Sequence, residues 1–187
     1  MKTIILGPPG TGKTTTLLNL VDEFLKDGIR PRQIGYFSFT KKAATEAADR
    51  AADKFGLDKE NDLPFFRTLH SYAFNQLGMT KEKMMKIEDY REFGQKCGIP
   101  IKTAKFSTED GTFNSDNEYL TIINTAAVKR MDLLEYYDSR KNIIDIERNT
   151  LFLLAEELNR FKKEKNLKDF NDLIEDFLLK ETLNKFE

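Results

Sequence analysis

Hydrophobic positions change their spacing along the chain, and each change marks an element. Thr3-Ile4-Ile5-Leu6 is a short apolar run with β-branched members and predicts a strand. Leu17, Leu18, Val21, Phe24 and Leu25 then recur at helical spacing as far as Lys26. Asp27-Gly28 and Arg30-Pro31 end that helix, because glycine supplies a left-handed cap and proline forbids resumption. Ile34 to Phe39 predicts a second strand, rich in aromatics. In the next helix Ala43, Ala44, Ala47, Ala48, Ala51, Ala52 and Phe55 fall on one narrow face, which Gly56 closes. Side chains that small let a helix lie close against a sheet. Leu63 to Leu69 predicts a third strand, followed by a short helix through Tyr72, Phe74 and Leu77.

Strands linked by helices imply parallel pairing with right-handed crossovers, so the front of the chain predicts a doubly wound α/β fold. From about Thr80 to Lys165 the period is almost wholly helical, as in Tyr119, Ile122, Ile123, Ala126 and Ala127, then Leu151, Leu154, Ala155, Leu158 and Phe161. The polar stretch from Ser107 to Asn117 predicts an exposed loop within it. A last helix is expected from Asp169, a candidate N-cap, to Leu179. The plan is therefore an α/β subdomain at 1–78, an all-helical subdomain at 79–166 and a returning helix at 167–187.

Composition narrows this only slightly. At 187 residues, 40% hydrophobic and 33% charged, the chain is ordinary for a soluble protein, and no apolar run approaches the twenty residues of a membrane span. No signal peptide precedes the first predicted strand, and a cytoplasmic location is expected. Cys97 is the single cysteine and reads as a small buried hydrophobe; with one histidine, zinc has no ligand set. The net charge of −1 is uneven: residues 1–50 hold eight Lys or Arg against five Asp or Glu, a balance of +3 that leaves −4 for the rest. A polyanion near the front of the chain is weakly favoured over a bland solvated surface.

The chemistry sits in that basic front. Gly7-Pro8-Pro9-Gly10-Thr11-Gly12-Lys13-Thr14 fits G-x-x-x-x-G-K-[ST] at every fixed position, between a predicted strand and a predicted helix. Glycines at 7, 10 and 12 let the backbone curl so that successive N–H groups point at phosphate oxygens, and the helix adds its positive pole. Lys13 is then the cation for the β- and γ-phosphates and the Thr14 hydroxyl the ligand of the bridging Mg²⁺, the two being the candidate catalytic residues. Thr15 completes the candidate ATP-binding set. A glycine turn that merely opens a helix is the competing reading, but a chance match in a chain of this length has odds of about 1%.

Two further stretches follow the second and third strands: Ser38-Phe39-Thr40-Lys41-Lys42-Ala43-Ala44-Thr45-Glu46-Ala47, and Arg67-Thr68-Leu69-His70-Ser71-Tyr72-Ala73-Phe74. With the phosphate loop they resemble motifs I, Ia (T-F-T-N-K-A-A-x-E-M) and Ib (T-F-H-S) of the UvrD/Rep-like branch of superfamily 1 DNA helicases. Asp169-Phe170-Asn171-Asp172-Leu173-Ile174 resembles that family's D-F-x-D-L-[LI] segment. The resemblance implies a RecA-like P-loop sheet with an inserted helical subdomain, ATP and Mg²⁺ as cofactors, and single-stranded DNA, extending to a duplex junction, as partner. It implies DNA contacts at Phe39, Thr40, Lys41, Lys42, Thr68, His70 and Ser71. A base stacked on an exposed aromatic is worth roughly 1–3 kcal/mol, and hydroxyls and lysines hold phosphates without reading sequence. Taken alone, Phe39 reads better as core, Thr40 as a helix cap and His70 as a hydrogen-bonded boundary residue.

The departures also carry expectations. No glutamine motif precedes the loop, Thr15 replaces a frequent arginine, and Lys41 replaces the asparagine of motif Ia. No convincing strand ending in Asp-Glu appears: Ile143-Ile144-Asp145-Ile146-Glu147 has too short an apolar run, and Leu173-Ile174-Glu175-Asp176 suits a helix. Hydrolysis needs such acids, so the chain is expected to be the N-terminal part of a longer ATPase, inactive alone and completed by a second motor domain. A P-loop small-molecule kinase and a non-catalytic ATP-binding adaptor are the alternatives.

Overall fold

A computed structural model of the chain describes residues 4–6, 8, 10–106, 113–143 and 145–183, in two compact units that divide between Tyr72 and Ala73. The first unit runs through helix α1 (Lys13–Lys26), strand β1 (Tyr36–Ser38), helix α2 (Lys41–Phe55) and strand β2 (Phe66–Thr68) into the start of helix α3 (Leu69–Gln76). β1 and β2 are parallel, pairing Tyr36 with Phe66, Phe37 with Arg67 and Ser38 with Thr68, and α2 is the crossover between them. Ala47, Ala48 and Ala51 are buried against Leu18, Val21, Ile34, Leu63 and Phe66, and Ala44 is buried on the same helix. Ala43, expected on that face, is exposed, since it lies in the first turn beyond the strip that meets the sheet. The helix ends follow the punctuation in the sequence: Gly28 and Gly56 take the left-handed conformation at φ 82° and 65°, open to glycine without a Cβ penalty.

Among the described residues the first predicted strand does not form. Residues 4–6 join no ladder, and Ile4 and Leu6 stand 84% and 88% exposed; Thr3 lies outside the described residues. An apolar run becomes a parallel strand only with a neighbour to bond and faces to bury, and among the described residues β1 and β2 are partnered only by each other.

The second unit holds the rest of α3, α4 (Ile87–Cys97), strands β3 (Ala104–Phe106) and β4 (Phe113–Ser115), α5 (Glu118–Val128), α6 (Leu133–Asp138), α7 (Arg148–Lys165) and α8 (Phe170–Leu183). Phe93, Leu120, Leu154, Leu158 and Phe161 centre its core, with a second cluster at Ile122, Ala126, Tyr136 and Leu151 and a third at Ala73, Met84 and Leu173. Half-buried Cys97 packs on the first cluster, and burial pushes its thiol pKa up. The unit is not all helical: β3 and β4 form an antiparallel pair, with Phe113–Ser115 falling in the predicted loop. The rest of that loop at 107–112 lies outside the described residues. Three-residue strands are too short to show a period of two, and the pair is held by its flank. There the Asp116 carboxylate accepts the N–H groups of Lys102 (3.1 Å) and Thr103 (2.8 Å), and Ser115 Oγ donates to the Thr103 carbonyl (2.8 Å).

Between α7 and α8 the chain turns on a buried ionic network. Asp169 caps α8, accepting from the N–H groups of Asn171 (2.8 Å) and Asp172 (2.9 Å), while Asp172 accepts the Asp169 N–H (2.9 Å). Lys162 donates to both carboxylates, at 2.7 Å to Asp169 and 2.8 Å to Asp172. Burial alone pulls the ammonium pKa down, but the two carboxylates outweigh it and leave it above its usual range. No helix among the described residues is long and apolar enough to cross a membrane.

Lys162→Met leaves two carboxylates without their cation and should cost about 3–5 kcal/mol, read as a lower urea midpoint; an unchanged midpoint would contradict the network's role. The Asp116 and Glu147 carboxyls are held below the usual range, Asp116 foremost by the Thr103 backbone N–H and Glu147 by Thr150, at the start of α7. A depressed folded-state pKa gives stability that is present above the unfolded value and is lost as pH falls through the folded one. Asp116→Asn and Glu147→Gln should therefore flatten the acid limb of the stability-against-pH curve, and an unaltered limb would refute the assignment.

Candidate functional site

Of the nine phosphate-loop residues singled out from the sequence, Gly7 and Pro9 lie outside the described residues; the others form one turn into α1. Gly10 and Gly12 sit at φ 83° and 77°, and nothing lies within 4 Å of where a Cβ would be at either. Backbone conformation, not crowding, therefore requires glycine here. The Gly12 carbonyl accepts from both the N–H (2.9 Å) and the hydroxyl (3.2 Å) of Thr16, which locks the loop to the first turn. Thr11 Oγ1 donates to the Pro8 carbonyl at 2.8 Å, and Lys13 Nζ donates to the same oxygen at 2.6 Å. The Lys13 ammonium thus lies on the loop. Half-buried Thr14 and exposed Thr15 occupy the first turn, which contains no acid, while Lys26 stands in the last.

The positive pole of a 14-residue helix is therefore not offset by a carboxylate of its own first turn. Curled glycine backbone, helix pole, cation and hydroxyl match the donor set for a triphosphate with Mg²⁺. No group of three or more His, Cys, Asp or Glu among the described residues is arranged to hold a metal ion. Three of the four acids weighed in the sequence have structural partners of their own. Glu147 caps α7 by accepting the Asn149 and Thr150 N–H groups, Glu175 pairs with Arg130 (3.0 Å), and Asp176 pairs with Lys168 (2.8 Å).

The second part of the site is the carboxyl edge of the β1–β2 pair. Since Ser38 and Thr68 are ladder partners, 39–42 and 69–71 leave the same edge from adjacent strands. Both turns are built alike. Thr40 Oγ1 accepts the Ala43 N–H (3.1 Å) and Thr68 Oγ1 accepts the Ser71 N–H (3.2 Å), so each threonine caps the helix that follows. A hydroxyl that accepts in this way still has its own proton to donate, so capping and phosphate contact are compatible. Ser38, left unassigned in the sequence, braces the turn: its Oγ donates to the Thr40 carbonyl (2.9 Å) and accepts the Thr40 N–H (3.2 Å).

Phe39 is 84% exposed, which removes the reading of it as core. Lys41 and Lys42 are exposed in the first turn of α2, where a cation opposes the helix dipole at a cost of about 0.3–1 kcal/mol each. Half-buried His70 has its pKa pulled down by burial, which disfavours the charged imidazolium. Ser71 is exposed. Two neighbours also escaped the sequence reading. Leu69 is exposed beside His70, and Arg67 has a buried Nε with no hydrogen-bond partner among the described residues.

A family model described as the UvrD/REP helicase N-terminal domain matches residues 1–185. The chain belongs to this family. Membership brings a P-loop fold and a helicase-type function to the chain. No curated protein and no solved structure matches the chain.

If the lysines are placed against stability, Lys41→Glu should stabilise α2 by about 0.3–1 kcal/mol, seen as a small rise in melting temperature. A fall would show that Lys41 supports the fold.

Proposed function

We propose that the chain is the N-terminal portion of an ATP-dependent helicase or translocase that grips ATP-Mg²⁺ and single-stranded DNA through one α/β unit. The observation that carries this reading is the Ser38–Thr68 register, which sets two family motifs on one sheet edge in a chain matched by the family over residues 1–185. In this reading Gly7 to Thr15 hold the nucleotide, Lys13 neutralises the β- and γ-phosphates, and Thr14 gives Mg²⁺ its protein ligand. Bound Mg²⁺ offsets charge on the phosphate oxygens. Phe39 offers a ring to a base; Thr40, Thr68, His70 and Ser71 hydrogen-bond the backbone, and Lys41 and Lys42 replace its counterions.

The division we propose is a nucleotide-binding subdomain at 1–78, a helical subdomain at 79–166 that contains the β3–β4 pair, and a returning helix at 167–187. A second motor domain supplies the acids and arginines for turnover, and the protein works in the cytoplasm at single strands and duplex junctions.

Two titrations of this chain test the reading. Lys13→Ala should weaken binding of a fluorescent ATP analogue about tenfold or more, and full retention would remove the nucleotide role. Affinity for a labelled single strand should fall linearly on a log–log plot against salt, with a slope of roughly −0.7 per phosphate contacted. A salt-independent affinity, or none at low salt, would remove the DNA role.

A further inference from the structure

In the second unit a small cavity lies where α4, α5, the β3–β4 pair and the start of α8 meet. Met85, Ala104 and Phe113 give it an apolar wall. Three polar side chains complete it, each more than nine-tenths buried: Tyr90 at 5% exposure, Asn124 at 3% and Asp169 at 6%. Its volume is about 30 Å³, above the roughly 10–15 Å³ that one water needs and far below that of a metabolite pocket.

Asn124 and Asp169 are already partly employed. Asn124 Nδ2 donates to the Leu120 carbonyl at 2.9 Å, and its Oδ1 accepts from Asn171 Nδ2 at 2.9 Å. Asp169 Oδ1 accepts two backbone N–H groups, and Oδ2 accepts from Lys162. A primary amide has two N–H bonds and a carboxylate oxygen two lone pairs, so one donor remains on Asn124 and one acceptor place on Asp169 Oδ2. The Tyr90 hydroxyl has no hydrogen-bond partner among the described residues. Burial first, and then the Asp169 and Asp172 carboxylates, push its pKa up, so it keeps its proton and stands as a donor. A cation is disfavoured here, because Lys162 already neutralises the one carboxylate that lines the cavity.

A buried donor without an acceptor is costly, and an ordered water with about three partners is the usual remedy. We propose that one water molecule is bound in this cavity, accepting from the Tyr90 hydroxyl and the Asn124 amide and donating to Asp169 Oδ2. It ties α4 to the carboxylate that caps α8, which makes Tyr90 a positioning residue for that helix.

Oxygen-17 relaxation dispersion of the solvent counts long-lived internal waters and is blind to exchange of hydroxyl protons. Tyr90→Phe should lower the dispersion amplitude by the equivalent of about one water. Ala104→Val, which fills the cavity without removing a polar group, should lower it by the same amount and reads the same site should Tyr90→Phe not fold. In Tyr90→Phe the Asn171 and Asp172 amides, which donate to Asp169 Oδ1, should exchange with solvent about 3–10-fold faster. Amides in the middle of α5 should keep their rates, whereas a general loss of stability would speed both alike. An amplitude unchanged in the folded variants overturns the water site, and unchanged or uniformly faster exchange overturns its hold on α8.

Discussion

The structure of the site depends on a three-residue parallel ladder. With Ser38 opposite Thr68, β1 and β2 end level, and the turns after them become one edge. Side chains alternate faces along a strand, so a slip of one residue would turn Tyr36 and Phe66 away from the core they share with α2. Their rings stack at 5.3 Å with an interplanar angle of 16°, which helps hold the register. The alanine strip of α2 acts on the same constraint. Ala47 and Ala51 are wholly buried, and a larger side chain at either would push the crossover helix off the pair it aligns.

Around that edge the sequence repeatedly chooses against local stability. Two lysines face the wrong pole of a helix, and a phenylalanine and a leucine stand in water. Elsewhere the same chain follows the rules closely. Thr40, Asn117, Asp132, Glu147 and Asp169 cap their helices with side-chain oxygens, and the buried Lys162 meets two carboxylates. Local departures that gather on one edge of a well-capped fold are the pattern expected of a functional surface.

Elements whose cause is local were legible from the sequence. α1, α2 and α8 carry their period and their punctuation within a dozen residues, and Gly28, Gly56 and Asp169 end or begin them as their chemistry requires. The run at 4–6 was misleading because a parallel strand is defined by its neighbours, and apolar content without a partner makes no ladder. β3 and β4 were hidden because their pairing is fixed by Asp116, one carboxylate reaching back across the hairpin to Lys102 and Thr103. In the site, the resemblance to the family's motifs named Phe39, Thr40 and His70, but only the register shows that the turns after β1 and β2 leave one sheet edge. Ser38's bracing hydrogen bonds and the buried Arg67 Nε are likewise products of folding, with no pattern in the chain to announce them.

We propose that a single strand binds at the one sheet edge set by the β1–β2 register. Backbone amide chemical shifts of the isotope-labelled chain, followed as unlabelled oligo-dT is added, test it most directly. The largest shifts should fall in two separate stretches, 38–42 and 68–71, and move together with one dissociation constant. Shifts concentrated on α4 to α7 with both stretches silent, or movement of one stretch without the other, would contradict it.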